Sequence, residues 1–180
     1  MTFHNEALDP AALPRWERVA LTPVSRRLAP CHALSIMGRW ALVAGLVWLF
    51  PAPAEELVRW KPAAAGGVLL LGLLLAGLGW VEARRRGYAL REHDLIYRRG
   101  LLVQRSRVLP VARLQHVETL SNPLERGFGL VRLVCFTAGG RGADLVLEGL
   151  PAERAEAVKQ HLLARVSGTS APREDGDDAA

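Results

Sequence analysis

Cysteine is scarce in this chain, with two in 180 residues, and that scarcity argues against several classes of protein at once. Cys31 and Cys135 lie far apart, and neither has a CxxC partner or a histidine at metal-ligand spacing, so neither a disulfide framework nor a zinc site is expected. Cys135, inside LVCFT, reads as a small buried hydrophobe. Aromatic residues are also few, at 6%, although 50% of the chain is hydrophobic. Alanine and leucine supply that apolar content, a balance that suits membrane-spanning helices better than a wholly soluble core. Catalytic constellations are missing too. Ser106, Ser121 and Thr137 have no GxSxG elbow, and no cysteine–histidine pattern is present. The glycines of AGGRGA at 138–143 lack the lysine and Ser/Thr of a phosphate loop and precede a strand rather than a helix. His93, beside Glu92 and Asp94, reads as part of a solvated turn and not as a metal ligand. His116 reads as a strand histidine and not as a general base. No helix-turn-helix, zinc-finger or aromatic stacking motif accompanies the net charge of +5, so nucleic acid is not an expected partner. No catalytic residue, metal ligand, cofactor or small-molecule substrate is expected.

What the chain does have is long apolar runs. Residues 63–81, AAAGGVLLLGLLLAGLGWV, carry no charge and end in Trp80 and the cluster Arg84, Arg85, Arg86. A helix of about 20 apolar residues crosses the hydrocarbon core, an indole favours the interface, and following arginines anchor the cytosolic end. Residues 33–50, ALSIMGRWALVAGLVWLF, form a first span interrupted by Arg39. Arg39 is expected to reach the headgroups and, with Trp40, to act as an interface anchor. Pro51 and Pro53 end that helix, leaving a short connection to Pro62 in which Glu55 and Glu56 balance Arg59 and Lys61. Small residues at four-residue spacing, Ala41 with Gly45 and Gly72 with Ala76, would allow the two helices to pack closely. Arg15, Arg18, Arg26, Arg27 and Arg39 precede or open the first span, and Arg84, Arg85, Arg86 and Arg91 follow the second. The positive-inside rule then puts both termini in the cytoplasm.

Residues 1–32, with four prolines, lack the basic, apolar and small-residue tripartite pattern of a secretory signal and read as a cytosolic N-terminal segment, partly disordered. The two spans occupy 33–83. Residues 84–165 carry 15 Lys/Arg against 8 Asp/Glu, a charge of +7, and the tail 166–180 carries one arginine against four acids. That tail reads as acidic and disordered. A basic domain close to anionic lipid gains about 1 kcal/mol per well-placed cation.

From Tyr88 the pattern turns to short strands. DLIYRR and LLVQRSRVL flank a hairpin glycine, Gly100. RLQHVETL, VRLVCFT and DLVLE follow as further strands, with Asn122-Pro123 starting a turn and Pro110 marking a strand break or edge. PAERAEAVKQHLLARV switches to a helical period, with Ala155, Val158 and Leu162 on one apolar stripe. Arg105 and Arg107 share a strand face. With Arg98, Arg99 and Arg113 they form a candidate patch for anionic headgroups, weighed against a merely solvated cationic face.

Several of these elements, in this order, resemble the bacterial pleckstrin-homology-like domain of the YdbS-like membrane proteins. The resemblance rests on Tyr88, on Gly100, and on Leu109-Pro110-Val111-Ala112-Arg113-Leu114-Gln115. It continues through Asn122-Pro123-Leu124-Glu125-Arg126-Gly127-Phe128-Gly129 and Thr137-Ala138-Gly139, and covers residues 88–165. Gly127 stands where that family usually has an apolar residue. The resemblance implies an α+β fold in which a two-helix transmembrane hairpin precedes a bent antiparallel sheet, or split barrel, closed by a C-terminal helix. It also implies a bacterial inner-membrane address and, as partner, a larger membrane protein carrying related domains. The expected function is non-enzymatic assembly at the membrane, with itself or with such a partner. The alternative is an anionic-lipid sensor at the bilayer surface.

Overall fold

The structure, a computed structural model, describes residues 19–51, 55–138 and 142–169. Two long helices come first, α1 (Leu28–Leu49) and α2 (Glu55–Arg84). At 1.5 Å per residue they extend about 33 and 45 Å, enough for either to cross a bilayer. They run antiparallel, because Trp40 meets α2 at Gly72 while the earlier Ile36 meets it at Gly79. A Cβ added at Gly72 would lie 2.5 Å from the Trp40 Cβ, and one added at Gly79 would lie 2.6 Å from Ile36 Cδ1. Glycine at these two positions brings the backbones together, and Ala44, Ala76 and Ala83 are buried in the same seam. Of the expected small-residue pairs, Gly72 and Ala76 lie in the seam, whereas a Cβ at Gly45 would meet open space.

The helix ends differ from the sequence expectation. The apolar run predicts a second span opening at residue 63, but α2 begins at Glu55 and carries Pro62 inside it. Hydropathy reports the part suited to hydrocarbon, and the helix continues past it at the cost of the hydrogen bond that Pro62 lacks a donor to make. Lys61, expected to balance the loop acids, caps a helix end. Its Nζ donates to the carbonyls of Phe50 at 2.6 Å and Trp48 at 3.3 Å, satisfying the C-terminal end of α1 where the helix dipole favours a cation. Residues 52–54 of the connection lie outside the described residues.

The sheet domain follows α2 almost without a linker. A short strand β1 (Thr22–Pro23), β2 (Gly87–Leu90), β3 (Asp94–Arg99) and β4 (Arg105–Pro110) form one antiparallel sheet in that order. A 3-10 turn at Val111–Arg113 leads to the second antiparallel sheet, β5 (Leu114–Leu120), β6 (Leu130–Thr137) and β7 (Leu145–Pro151). Helix α3 (Pro123–Gly127) joins β5 to β6, and α4 (Ala152–Thr169) closes the fold against β5, β6, β7 and the 3-10 turn. The core holds Leu95, Leu130, Leu133, Leu147, Leu150 and Leu162, all buried. Ala155, Val158 and Leu162 supply the expected apolar stripe of α4. Leu124 and Phe128, from α3 and its C-terminal end, pack against the same core.

The run 101–109, read as one strand, pairs only from Arg105 onward. Gly100 adopts φ +110, and a Cβ there would lie 2.0 Å from the Val103 carbonyl oxygen, so the chain turns sharply and leaves Leu101–Gln104 as a loop.

The N-terminal boundary is also corrected. Residues 22–31, expected within a polar N-terminal segment, are built into the domain. β1 pairs with β2, Ser25 N donates to the Gly149 carbonyl at 2.9 Å, and Val24, Leu28, Ala29 and Cys31 belong to the core. Gly149 has φ +81, and a Cβ there would lie 2.6 Å from Leu28 Cδ2. A two-residue strand and one helical turn have no sequence signal of their own; they form because β2 and β7 offer them a place. Of the tail expected over 166–180, residues 166–169 continue α4, and residues 170–180 lie outside the described residues, as do residues 1–18 of the expected N-terminal segment and residues 139–141 of the AGGRGA turn.

Candidate functional site

The chemistry of this fold concentrates where the hairpin meets the sheets. Arg86 follows α2 directly and is only 6% exposed. Its guanidinium donates to the Glu82 carboxylate, one helical turn back, through Nε at 2.9 and 3.0 Å and Nη2 at 2.6 Å. Its Nη1 donates to Glu148 of β7. Glu82 also accepts from the backbone N–H of Gly100 at 3.0 Å. Arg86 therefore ties the end of α2 to β7, and its partner Glu82 adds the turn after β3. Burial works against that charge, but the hydrogen bonds it donates to Glu82 and the nearby carboxylate of Glu148 outweigh it and hold the Arg86 pKa above its already high ordinary value. Burial pushes the neighbouring Tyr97 phenol above its usual range. This corrects the expected role of Arg86. Arg84 and Arg85 are exposed and free to anchor at the interface, whereas Arg86 points into protein as the centre of the junction.

The other expected anchors divide similarly. Trp80 is 39% exposed and lies two residues before Glu82. Trp40 is half-buried against Gly72 and serves the helix seam. Arg39 is exposed and lines a polar cleft of about 230 Å³ between α1 and the sheet domain, together with His32, Asn122, Glu125, Arg132 and Glu148. A long side chain on an apolar helix thereby gains a polar route towards the domain end of the span.

That cleft contains the second buried charge. Glu125 is 6% exposed and completes a capping box: Asn122 Oδ1 accepts from Glu125 N at 2.7 Å, and Glu125 Oε2 accepts from Asn122 N at 3.0 Å. Its other oxygen accepts from Arg132 Nε at 2.6 Å. The bond to Glu125 raises the Arg132 pKa above its ordinary value. The Asn122-Pro123 turn signal finds its structural reason here, with Pro123 in the first helical turn. Sequence reasoning missed Glu125, whose one signal was its position three residues after the capping asparagine.

Of the five arginines of the expected headgroup patch, Arg99, Arg105 and Arg107 share one strand face, Arg113 meets Arg107 at a cleft, and Arg98 lies on the opposite face. Strand register puts Arg99 directly opposite Arg105 and Arg107 opposite Tyr97, all on one face, while Arg98 opposite Ser106 lies on the other. Arg107 Nη1 donates to the Asp144 carbonyl at 2.8 Å, and Arg107 shares with Arg113 a cleft of about 280 Å³ bordered by Pro110, Thr137 and Asp144. Thr137 donates to the Asp144 carboxylate from its hydroxyl and from its N–H at 2.8 Å, which holds that carboxyl below its ordinary pKa. The alternation of a single strand predicted the shared face of Arg105 and Arg107. Only the register across Gly100 decides between Arg98 and Arg99.

The His93 carbonyl accepts from Val111 N at 2.9 Å. The exposed His116 ring meets Glu118 Oε1 at 3.0 Å and lies 6.0 Å from the Phe136 ring. An open apolar groove of about 960 Å³ runs along α2, lined by leucines, Gly67, Gly77 and Val81.

Two membrane-length apolar helices fused to a bent pair of antiparallel sheets closed by a C-terminal helix define a membrane protein with a pleckstrin-homology-like domain. A family model described as the bacterial PH domain matches residues 33–166, and the chain belongs to that family. The match begins within α1, so the hairpin is part of the unit that the family shares. Among curated proteins, the chain is similar to the UPF0699 transmembrane protein YdbT of Bacillus subtilis (strain 168), at 29% identity over 141 residues, which cover 78% of this chain and 28% of that protein. The chain thus matches little more than a quarter of its relative's length. No solved structure matches it.

Proposed function

We propose that this protein is a non-enzymatic assembly module of the bacterial inner membrane, whose domain joins a second copy of itself or a larger membrane protein with related domains. The observation that carries this reading is the junction. Arg86, Glu82 and Glu148, with β1 and Leu28 docked on β2 and Gly149, hold the sheets in one pose on the hairpin. A fixed pose suits a surface that must match a neighbour embedded in the same bilayer. The edge strands β4, β5 and β7 offer backbone groups for strand addition. The relative's greater length supports a partner of the same family, since the matched unit accounts for only part of it. The arginines flanking the spans favour an orientation with both ends in the cytoplasm.

Crosslinking in intact membranes, followed by identification of the captured chains, tests the proposal. A second copy, or a membrane protein with a bacterial PH domain, is the expected capture. A protein that stays monomeric and uncrosslinked in native membranes would refute it.

A further inference from the structure

The loop Leu101–Gln104 presents two apolar side chains to solvent, Leu102 at 93% exposure and Val103 at 69%. Its position follows from the chain path. β2 leaves the end of α2 at Gly87 and runs away from the helix; β3 returns, passing Gly87 at Arg98. Two residues later, Gly100 donates its N–H to Glu82, inside the last turns of α2. β3 therefore heads back towards α2, and the Gly100–Glu82 bond carries the loop beyond Gly100 towards the end of α2 that bears Trp80. At the base of this loop Arg99 and Arg105 stand directly opposite each other across the ladder. Neither makes an ion pair among the described residues, and like charges at such a cross-strand site destabilise the sheet unless an anion lies between or beside them.

From this we infer that the loop is a third membrane contact: Leu102 and Val103 enter the bilayer interface, and Arg99 and Arg105 hold the phosphodiester headgroups of anionic lipid around them. The apolar tip gains the burial that water denies it, and the paired arginines gain counter-charge. The contact is continuous with the surface through which α2 itself emerges, which is why lipid, and not a protein partner, is the occupant. The inference goes beyond the assembly reading and stands whether or not a partner is captured, because a monomer would make the same contact.

A test uses the full-length protein with Leu102→Cys carrying an environment-sensitive fluorophore, reconstituted in phosphatidylcholine vesicles with and without phosphatidylglycerol. Cys31 and Cys135 are both buried and do not compete for label in the folded protein. Ala112→Cys, exposed at the far end of β4, is the control. The inference predicts a blue-shifted emission at position 102 and severalfold stronger quenching there than at 112 by nitroxides placed near the lipid headgroups. The quenching should deepen with phosphatidylglycerol and lose that dependence in an Arg99→Gln, Arg105→Gln background. Emission at 102 as water-like as at 112 would overturn it. A blue shift without lipid quenching would also overturn it, by placing another polypeptide over the loop.

Discussion

Replacing Arg86 by methionine keeps much of the side-chain volume and removes the charge that links Glu82 of α2 to Glu148 of β7. The carboxylates of Glu82 and Glu148 would then face each other across a site whose centre is 6% exposed. Removing one partner from a buried ion pair costs about 3–5 kcal/mol, because the remaining charge is left without compensation. Glu82 and Glu148 keep 18% and 22% of their side-chain exposure, so water relieves part of that, and about 3 kcal/mol is the expected loss. For a protein of this size that lowers the melting temperature by about 6–12 °C. Thermal unfolding in detergent, followed by circular dichroism, reads the shift. Arg85→Met, an exposed neighbour in the same cluster, is the control and should move Tm little. Adding Glu82→Gln and Glu148→Gln to the Arg86→Met chain should recover part of the loss, since the stranded charges are then gone. If Arg86→Met melts with Arg85→Met, the junction is not held by this cation and the reasoning fails.

Two further outcomes follow from other positions. Gly149→Ala forces a side chain into φ +81 and against Leu28. Strain and overpacking together should cost about 3 kcal/mol, while Gly127→Ala, which meets open space, should be near neutral; equal stability of the two by chemical denaturation would refute the docking of α1 on β7. Burial pushes the Cys135 thiol from 9.0 to about 12, so the folded state favours the neutral thiol. The stability this represents is intact below about pH 9, where the unfolded thiol is also neutral, and declines as pH rises towards about 12. Cys135→Ala should flatten that part of the alkaline decline, and an unchanged slope would contradict the assignment.

Much of this fold is legible in the residues because the signals are local. Apolar length announced both spans, Gly100 announced a turn that no residue with a Cβ can make, and Asn122-Pro123 announced the capped start of α3. Ala155, Val158 and Leu162 announced the face of α4 that meets the sheets. The unread parts depend on residues distant in sequence. β1 exists only because β2 pairs with it, and Leu28 is core only because Gly149 leaves room for it. Arg86 is the sharpest case. Beside Arg84 and Arg85 it reads as a third interface anchor, and its burial is decided by Glu148, far along the chain, which periodicity cannot connect to it. The membership of the arginine face was open for a related reason. Alternation within one strand gives Arg105 and Arg107 a shared face, but only the register across Gly100 adds Arg99 to it and turns Arg98 to the other side.

The central claim is that hairpin and sheets form one rigid body presented to neighbours in the membrane. Spin labels at Leu42→Cys on α1 and Gln115→Cys on β5, both exposed, allow pulsed electron paramagnetic resonance to measure the distance between hairpin and domain in lipid vesicles. The structure predicts a single narrow distance distribution, broadened by Arg86→Met. A broad or multi-peaked distribution in the unaltered junction would mean that the domain swings on its tether, and would contradict the account.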